Sequence, residues 1–182
     1  MNRLGGPLLT AYLRQATPHD FSGIQKIIDQ AKQLLKADGI DQWQDGYPDD
    51  TVLHHDLEQK RGFVLITDDQ IAGYGVLFEE LEPAYEAIKE GAWVQTGVPY
   101  VSIHRIALSS DFRGRHLSSV LMDHLISAAA LKGYTDLRID THPENPRMQH
   151  VIKQAGFEYR GVVYLDMPNG KRLAYQRMLT RR

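Results

Sequence analysis

Residues 103–122 concentrate the chemistry of this chain: Ile103-His-Arg-Ile-Ala-Leu-Ser-Ser-Asp-Phe-Arg-Gly-Arg-His-Leu-Ser-Ser-Val-Leu-Met122. A strand-like run enters a tight basic turn, and the turn opens directly into a helical pattern. The free N–H groups of a helix start, together with its dipole, suit a phosphate or pyrophosphate. Arg113 and Arg115 add positive charge at the same place. The competing reading is an ordinary strand-to-helix turn with solvated arginines.

Titratable groups flank this segment. His104 shares a strand face with Tyr100 and Ser102, and an imidazole suits general-base work near neutral pH; a histidine hydrogen-bonded at the sheet surface would look the same. Asp140 and His142 alternate with Leu137, Ile139 and Thr141. An acid and a histidine at that strand end could bind or deprotonate a cationic amine, or cap the next helix. Glu79 and Glu80 end an earlier strand, where one carboxylate could face such an amine or both could be solvated. Trp43 and Tyr47 fall in an irregular loop and suit a pocket wall or plain loop packing. His54, His55 and Asp56 are adjacent on a helix and point in different directions, so no metal site is expected.

These groups need a frame. Residues 8–16 read as a strand, and Thr17 and Pro18 open a helix as N-cap and first helical residue. Ile24, Ile27, Ile28, Ala31 and Leu34 recur at helical spacing until Gly39. Residues 39–48 are irregular, and a short helix follows from Asp49 or Asp50 to Lys60. Strands over 62–67 and 70–78 flank Asp68-Asp69 as a hairpin. A short helix is expected over 82–90 and a strand over 98–108. Strict alternation in that strand places Val101, Ile103, Arg105 and Ala107 on one face, with Tyr100, Ser102, His104, Ile106 and Leu108 on the other. A helix over 113–131, a strand over 137–141, a helix over 145–155 and a closing hairpin of 157–165 with 172–178 complete the order.

The bulk composition excludes several function classes. The 182 residues fit one domain, 1–182, in which residues 1–7 read as a loose N-terminal extension. A net charge of -2 gives no electrostatic reason for a nucleic acid or membrane partner. No apolar run is long enough to span a bilayer. Cysteine is absent, which removes disulfides and thiolate chemistry and fits a cytoplasmic location. The phosphate-loop pattern Gly-x-x-x-x-Gly-Lys-Ser/Thr is missing too.

The basic turn resembles the cofactor motif of the GNAT superfamily of N-acetyltransferases: Arg or Gln, two residues, Gly, one residue, then Gly or Ala. Arg113, His116 and Ser118 occupy the matching positions. Arg14-Gln-Ala-Thr17 with Asp20 looks like the opening strand and helix of that family. Asn145 followed by Gly156-Phe157 looks like its closing helix and strand. The resemblance implies an α/β (α+β) fold with a mixed, mostly antiparallel sheet, helices on both faces, and a splayed parallel strand pair at the cofactor site. It also implies acetyl-CoA as acetyl donor, no metal, and direct attack in a ternary complex. The acceptor would be a small-molecule amine or a peptide or protein amine, and a homodimer is compatible with this.

By the same resemblance, main-chain groups of Ile106, Ala107 and Leu108 hold the pantetheine arm. The turn of Arg113, Gly114, Arg115, His116, Leu117 and Ser118 holds the pyrophosphate, with Asn145 at the cofactor as well. His104, Asp140 and His142 are then the candidate proton acceptors, Tyr100 a late proton donor, and Trp43, Tyr47, Glu79 and Ser102 the acceptor side. The chain departs from the family pattern in two respects. His116 and Ser118 replace turn glycines, and Ile152 stands where many members carry a tyrosine that protonates the departing thiolate. A non-catalytic acyl-CoA-binding sensor is the alternative these departures suggest.

Overall fold

The computed structural model describes residues 11–180. Leu8, Leu9 and Thr10 of the expected first strand, and the expected extension 1–7, lie outside the described residues. The strands are β1 (Ala11–Gln15), β2 (Gly62–Thr67), β3 (Gln70–Phe78), β4 (Val101–Leu108), β5 (Asp136–Thr141), β6 (Glu158–Tyr164) and β7 (Lys171–Met178). The helices are α1 (Phe21–Ala37), α2 (Asp50–Glu58), α3 (Pro83–Glu86), α4 (Leu117–Leu131) and α5 (Pro146–Gln154). The strands form one sheet in the order β1-β2-β3-β4-β5-β7-β6. Its neighbours are antiparallel except β4 and β5, which run parallel.

Helices cover both faces, which is why β2 reads as a continuous apolar run and is buried along its whole length. On one face the Ile24, Ile27 and Ile28 stripe of α1 packs with Leu53 and Leu57 of α2 against Val64, Tyr74 and Val76. On the other, Leu117, Leu121, Leu125 and Ala129 of α4 meet Leu77, Val101, Ile103, Leu137 and Ile139. The entry to α1 is fixed by Asp20, whose carboxylate receives two 2.7 Å bonds from Arg14 and accepts the Thr17 N–H at 2.8 Å. Arg14 and Thr17 hold that carboxyl near pKa about 2 despite its partial burial.

Strict alternation along β4 is corrected by a β-bulge. The β3–β4 register slips between Tyr74↔Ala107 and Val76↔His104, so Arg105 and Ile106 stand opposite Gly75 alone. Arg105 takes a left-handed backbone, φ 53. One extra residue inverts the facing of all that follow. Ile106 and Leu108 therefore pack on the α4 face with Val101 and Ile103, and Ala107 turns to the α1 face.

A third cluster, Tyr85, Trp93, Tyr100, Val163 and Ala174, anchors the long β3–β4 connection. At its centre the buried Arg138 guanidinium lies 4.3 Å from the Trp93 ring and 3.8 Å from the Tyr100 ring. Arg138 also donates to Asp136 at 2.9 Å. The same connection crosses β6 through Lys89, which exchanges bonds of 2.8 and 2.7 Å with Val162. Gly91 permits this approach, because a Cβ there would lie 1.9 Å from the Arg160 carbonyl oxygen.

The expected helix over 113–131 begins later, at Leu117. Ser110–Phe112 forms a 3-10 turn, and His116 at φ 55 interrupts the helical geometry. The expected helix over 82–90 shrinks to Pro83–Glu86, and β4 starts at Val101 rather than 98.

Candidate functional site

The parallel pairing of β4 with β5 lasts for two residues, Val101↔Leu137 and Ser102↔Arg138, and then the strands part. From Ile103 to Leu108 the β5-facing edge of β4 has no strand partner, so its polar main-chain groups are open to a ligand. The gap is the floor of a cleft of about 1050 Å³. The start of α4 closes one end; residues of the 39–49 loop and of the β6–β7 turn line the other.

At the α4 end, Ile106, Ala107, Leu108, Arg113, Gly114, His116, Leu117 and Ser118 all line the cleft. The backbone supplies what the missing glycines would have supplied. Gly114 has φ 77 and His116 has φ 55, so His116 holds the left-handed conformation in spite of its Cβ, at a cost of about 1–2 kcal/mol. Arg115 does not line the cleft. Its guanidinium pairs with Asp68 at 2.9 Å and packs over the Phe112 ring.

The other end is built around a carboxylate that the spacing of residues gave no reason to choose. Glu82 Oε1 lies 2.8 Å from His104 Nε2 and also accepts the Ser102 hydroxyl. Tyr100 fixes the start of this segment by accepting the Glu82 N–H at 2.8 Å. Burial works against both charges, yet each stabilises the other: His104 is raised above its ordinary value, chiefly by Glu82, and Glu82 is lowered. Among the described residues, His104 Nδ1 has no hydrogen-bond partner, and the ring borders the cleft.

Asp140 and His142 also line the cleft. Asp140 accepts the Tyr85 hydroxyl at 2.8 Å, and burial raises its pKa in spite of His104 and Arg172 nearby. His142 is lowered by burial and by Arg172, and its Nδ1 accepts the Glu144 N–H at 3.2 Å. Trp43 and Tyr47 border the cleft from the 39–49 loop. Tyr47 accepts a bond from Arg105, which in turn makes two 2.7 Å bonds to the buried Asp56.

Several expected site residues lie elsewhere. Glu79 pairs with Lys132 at 2.7 Å and Tyr134 at 3.0 Å, outside the cleft. Tyr100 and Ser102 are buried behind Glu82 and do not border the cleft. Asn145 borders it, but its side chain caps α5 through the Met148 N–H and donates to Gln42 of the loop. Ile152 is fully buried in the core, while its neighbours Met148 and Val151 reach the cleft. Residues missed by sequence reasoning are Glu82, Arg105, Tyr85 and Arg172. Arg105 and Arg172 sit in strand sequences with no motif around them, Arg172 beside Lys171, and no periodicity marks Glu82. Among the described residues no group of three His, Asp or Glu side chains is arranged to hold a metal ion.

A sequence profile described as the Acetyltransferase (GNAT) family matches residues 28–157. A GNAT-family acetyltransferase structure from Streptococcus agalactiae 2603 is 36% identical, with a TM-score of 0.85 over 94% of this chain and 96% of its own. One from Listeria monocytogenes 4b F2365 is 21% identical, with a TM-score of 0.73 over 98% of this chain and 100% of its own. The aminoglycoside acetyltransferase AAC(6')-Ib, solved with coenzyme A, is 17% identical and shares the fold, at a TM-score of 0.65 over 93% and 95%. No curated protein matches the sequence at a significant level.

Proposed function

The chain belongs to the acetyltransferase (GNAT) family, and from that premise we propose that it moves an acetyl group from acetyl-CoA to a primary amine by direct attack within a ternary complex. The observation that carries this reading is the parting of β4 and β5 into a cleft with a phosphate-type helix start at one end and the His104–Glu82 pair at the other.

The open edge of β4 offers main-chain donors and acceptors to the pantetheine arm of the donor substrate. The amides of residues 113–118 at the α4 N-terminus suit the pyrophosphate. A backbone N–H near Leu108 is placed to polarise the thioester carbonyl. At the other end, Asp140 attracts the ammonium form of the acceptor. His104 takes its proton through the nitrogen not engaged by Glu82, and Glu82 holds the ring and stabilises the imidazolium. The neutral amine forms the new N–C bond and the C–S bond breaks. A thiol has a free pKa of about 8.5, so the thiolate is a fair leaving group and can be protonated late by water. Ile152 has no part in that step.

The test is release of coenzyme A thiol across a panel of amines, amino acids and peptides. Amine-dependent release is expected. Tight binding of coenzyme A with no release for any acceptor would favour a sensor instead.

The two turn arginines separate in this reading. Arg113→Glu removes a cation from the cleft and is expected to weaken coenzyme A by about 10-fold or more, the cost of losing a charged hydrogen bond. Arg115→Glu touches Asp68 instead and is expected to change affinity by less than about two-fold. Calorimetric titration of both variants decides; equal losses would place the phosphates elsewhere.

A further inference from the structure

Arg172 and Asp140 face each other in the cleft without completing a pair. Arg172 Nε lies 3.8 Å from Asp140 Oδ1, beyond hydrogen-bond reach, and both side chains are more than nine-tenths buried. The Nη1 hydrogens of Arg172 are committed to the Asn169 and Lys171 carbonyls at 2.7 and 2.8 Å. Nε has no hydrogen-bond partner among the described residues, and Nη2 meets only the weak acceptor Met167 Sδ at 3.4 Å. The unfilled Nε–Nη2 edge is one that grips a carboxylate in a two-point fork. Asp140 has one hydrogen bond, from Tyr85, and spare acceptor capacity on its other oxygen.

A completed ion pair would lower the acid and raise the base. The shifts run the other way: burial dominates at both groups, raising Asp140 and lowering Arg172. Each charge is therefore under-compensated in a site that solvent barely reaches, and burying charge without full pairing is costly. The Asp45 carboxylate on the 39–49 loop also acts on Arg172, with a smaller effect than Asp140. A ligand bearing both charges a short distance apart would satisfy both groups at once.

We propose that the acceptor is a zwitterion, a free α-amino acid whose ammonium lies against Asp140 and whose carboxylate is held by the Nε–Nη2 edge of Arg172. This rests on the reading of the cleft as an acetyl-transfer site. The ammonium yields one proton to His104, the neutral nitrogen forms the N–C bond as the C–S bond breaks, and the nitrogen then sheds a second proton. The products are an N-acetylamino acid, the coenzyme A thiol and one net proton. Trp43 and Met167 border the same cleft, so the acceptor side chain that meets them is apolar.

The experiment compares L-phenylalanine and L-leucine with their carboxamides and with the decarboxylated amines. The carboxamide is a stringent control, because its amine is the less basic and hence more abundant in the neutral form. For the wild-type protein, kcat/KM is expected to favour the free amino acid over its carboxamide by about 10²-fold, the penalty for leaving a buried charged donor unpaired. In Arg172→Gln that ratio is expected to collapse towards one, and Arg172→Lys to restore part of it. Protection against thermal unfolding in the presence of coenzyme A gives a second readout that needs no turnover. If carboxamides or simple amines serve as well as amino acids in the wild-type protein, the zwitterion proposal fails and acetyl transfer stands. If amino acids alone protect but no thiol is released, acetyl transfer fails and the zwitterion site stands. The wild-type comparison decides even where an Arg172 variant does not fold.

Discussion

Replacing His104 by alanine is expected to lower kcat by about 10²-fold while coenzyme A binds as before, the usual loss for removing a positioned general base. The ring borders the cleft and is held by Glu82 at 2.8 Å. Glu82 raises the ring's pKa above the ordinary value against the opposing effect of burial. The pH profile of kcat/KM should therefore rise as the imidazolium proton leaves and reach a plateau above the raised value. Glu82 is the chief group that raises it, so Glu82→Gln is expected to shift the rising limb to lower pH while also slowing turnover. That shift separates a base held by a carboxylate from a histidine that merely packs. Full activity of His104→Ala with an unchanged profile would remove it from the reaction.

The largest stability effect is expected at Asp56. This carboxylate is fully buried and receives bonds from Arg61 at 2.7 Å, Arg105 at 2.7 Å twice, and Tyr74 at 3.1 Å. Alanine there would leave the mostly buried Arg105 without its counter-ion and Arg61 with only the exposed Glu80 at 3.8 Å. Breaking a buried pair from one side costs about 3–5 kcal/mol, which for a domain of this size corresponds to a fall of roughly 10 °C in Tm. Arg105 also carries the bond to Tyr47, so the wall of the cleft loosens with it. Urea unfolding of Asp56→Ala measures the loss directly. A change below about 1 kcal/mol would show that water reaches these charges.

The sequence was legible where the code is local. The β2–β3 hairpin falls at its expected residues because Asp68 and Asp69 both adopt the left-handed backbone that such a turn requires. The α1 stripe reads directly from its spacing, and the motif around Arg113 falls at the α4 start that closes one end of the cleft. What was not legible depends on contacts between distant segments. Glu82 reaches His104 because Trp93, Tyr100 and Arg138 pin an irregular connection against the sheet, and no periodicity encodes that. Arg113 and Arg115 look equivalent in the turn, yet Asp68, 47 residues away, draws one of them out of the cleft. In β4 the alternation Val101, Ile103, then Ile106, Leu108 slips by one residue. The bulge is written there as a change of phase, which strict alternation reads straight through.

The chain contains two tryptophans, and the fold assigns them to different reporters. Trp93 is buried, its indole N–H donates to the Tyr85 carbonyl at 2.7 Å, and the Arg138 cation lies over its ring. Its emission is tied to the integrity of the connection that carries Glu82, and it should change only when that connection unfolds. Trp43 borders the cleft on a loop whose side chains tie it to both rims, through Gln42 to Asn145 and Asp41 to Asn169. Its emission should respond to an occupant of the cleft while the domain remains folded. A Trp43→Phe variant would leave a signal blind to ligand and sensitive to denaturant, so subtracting it from the native spectrum would yield a titration of the cleft free of any added label.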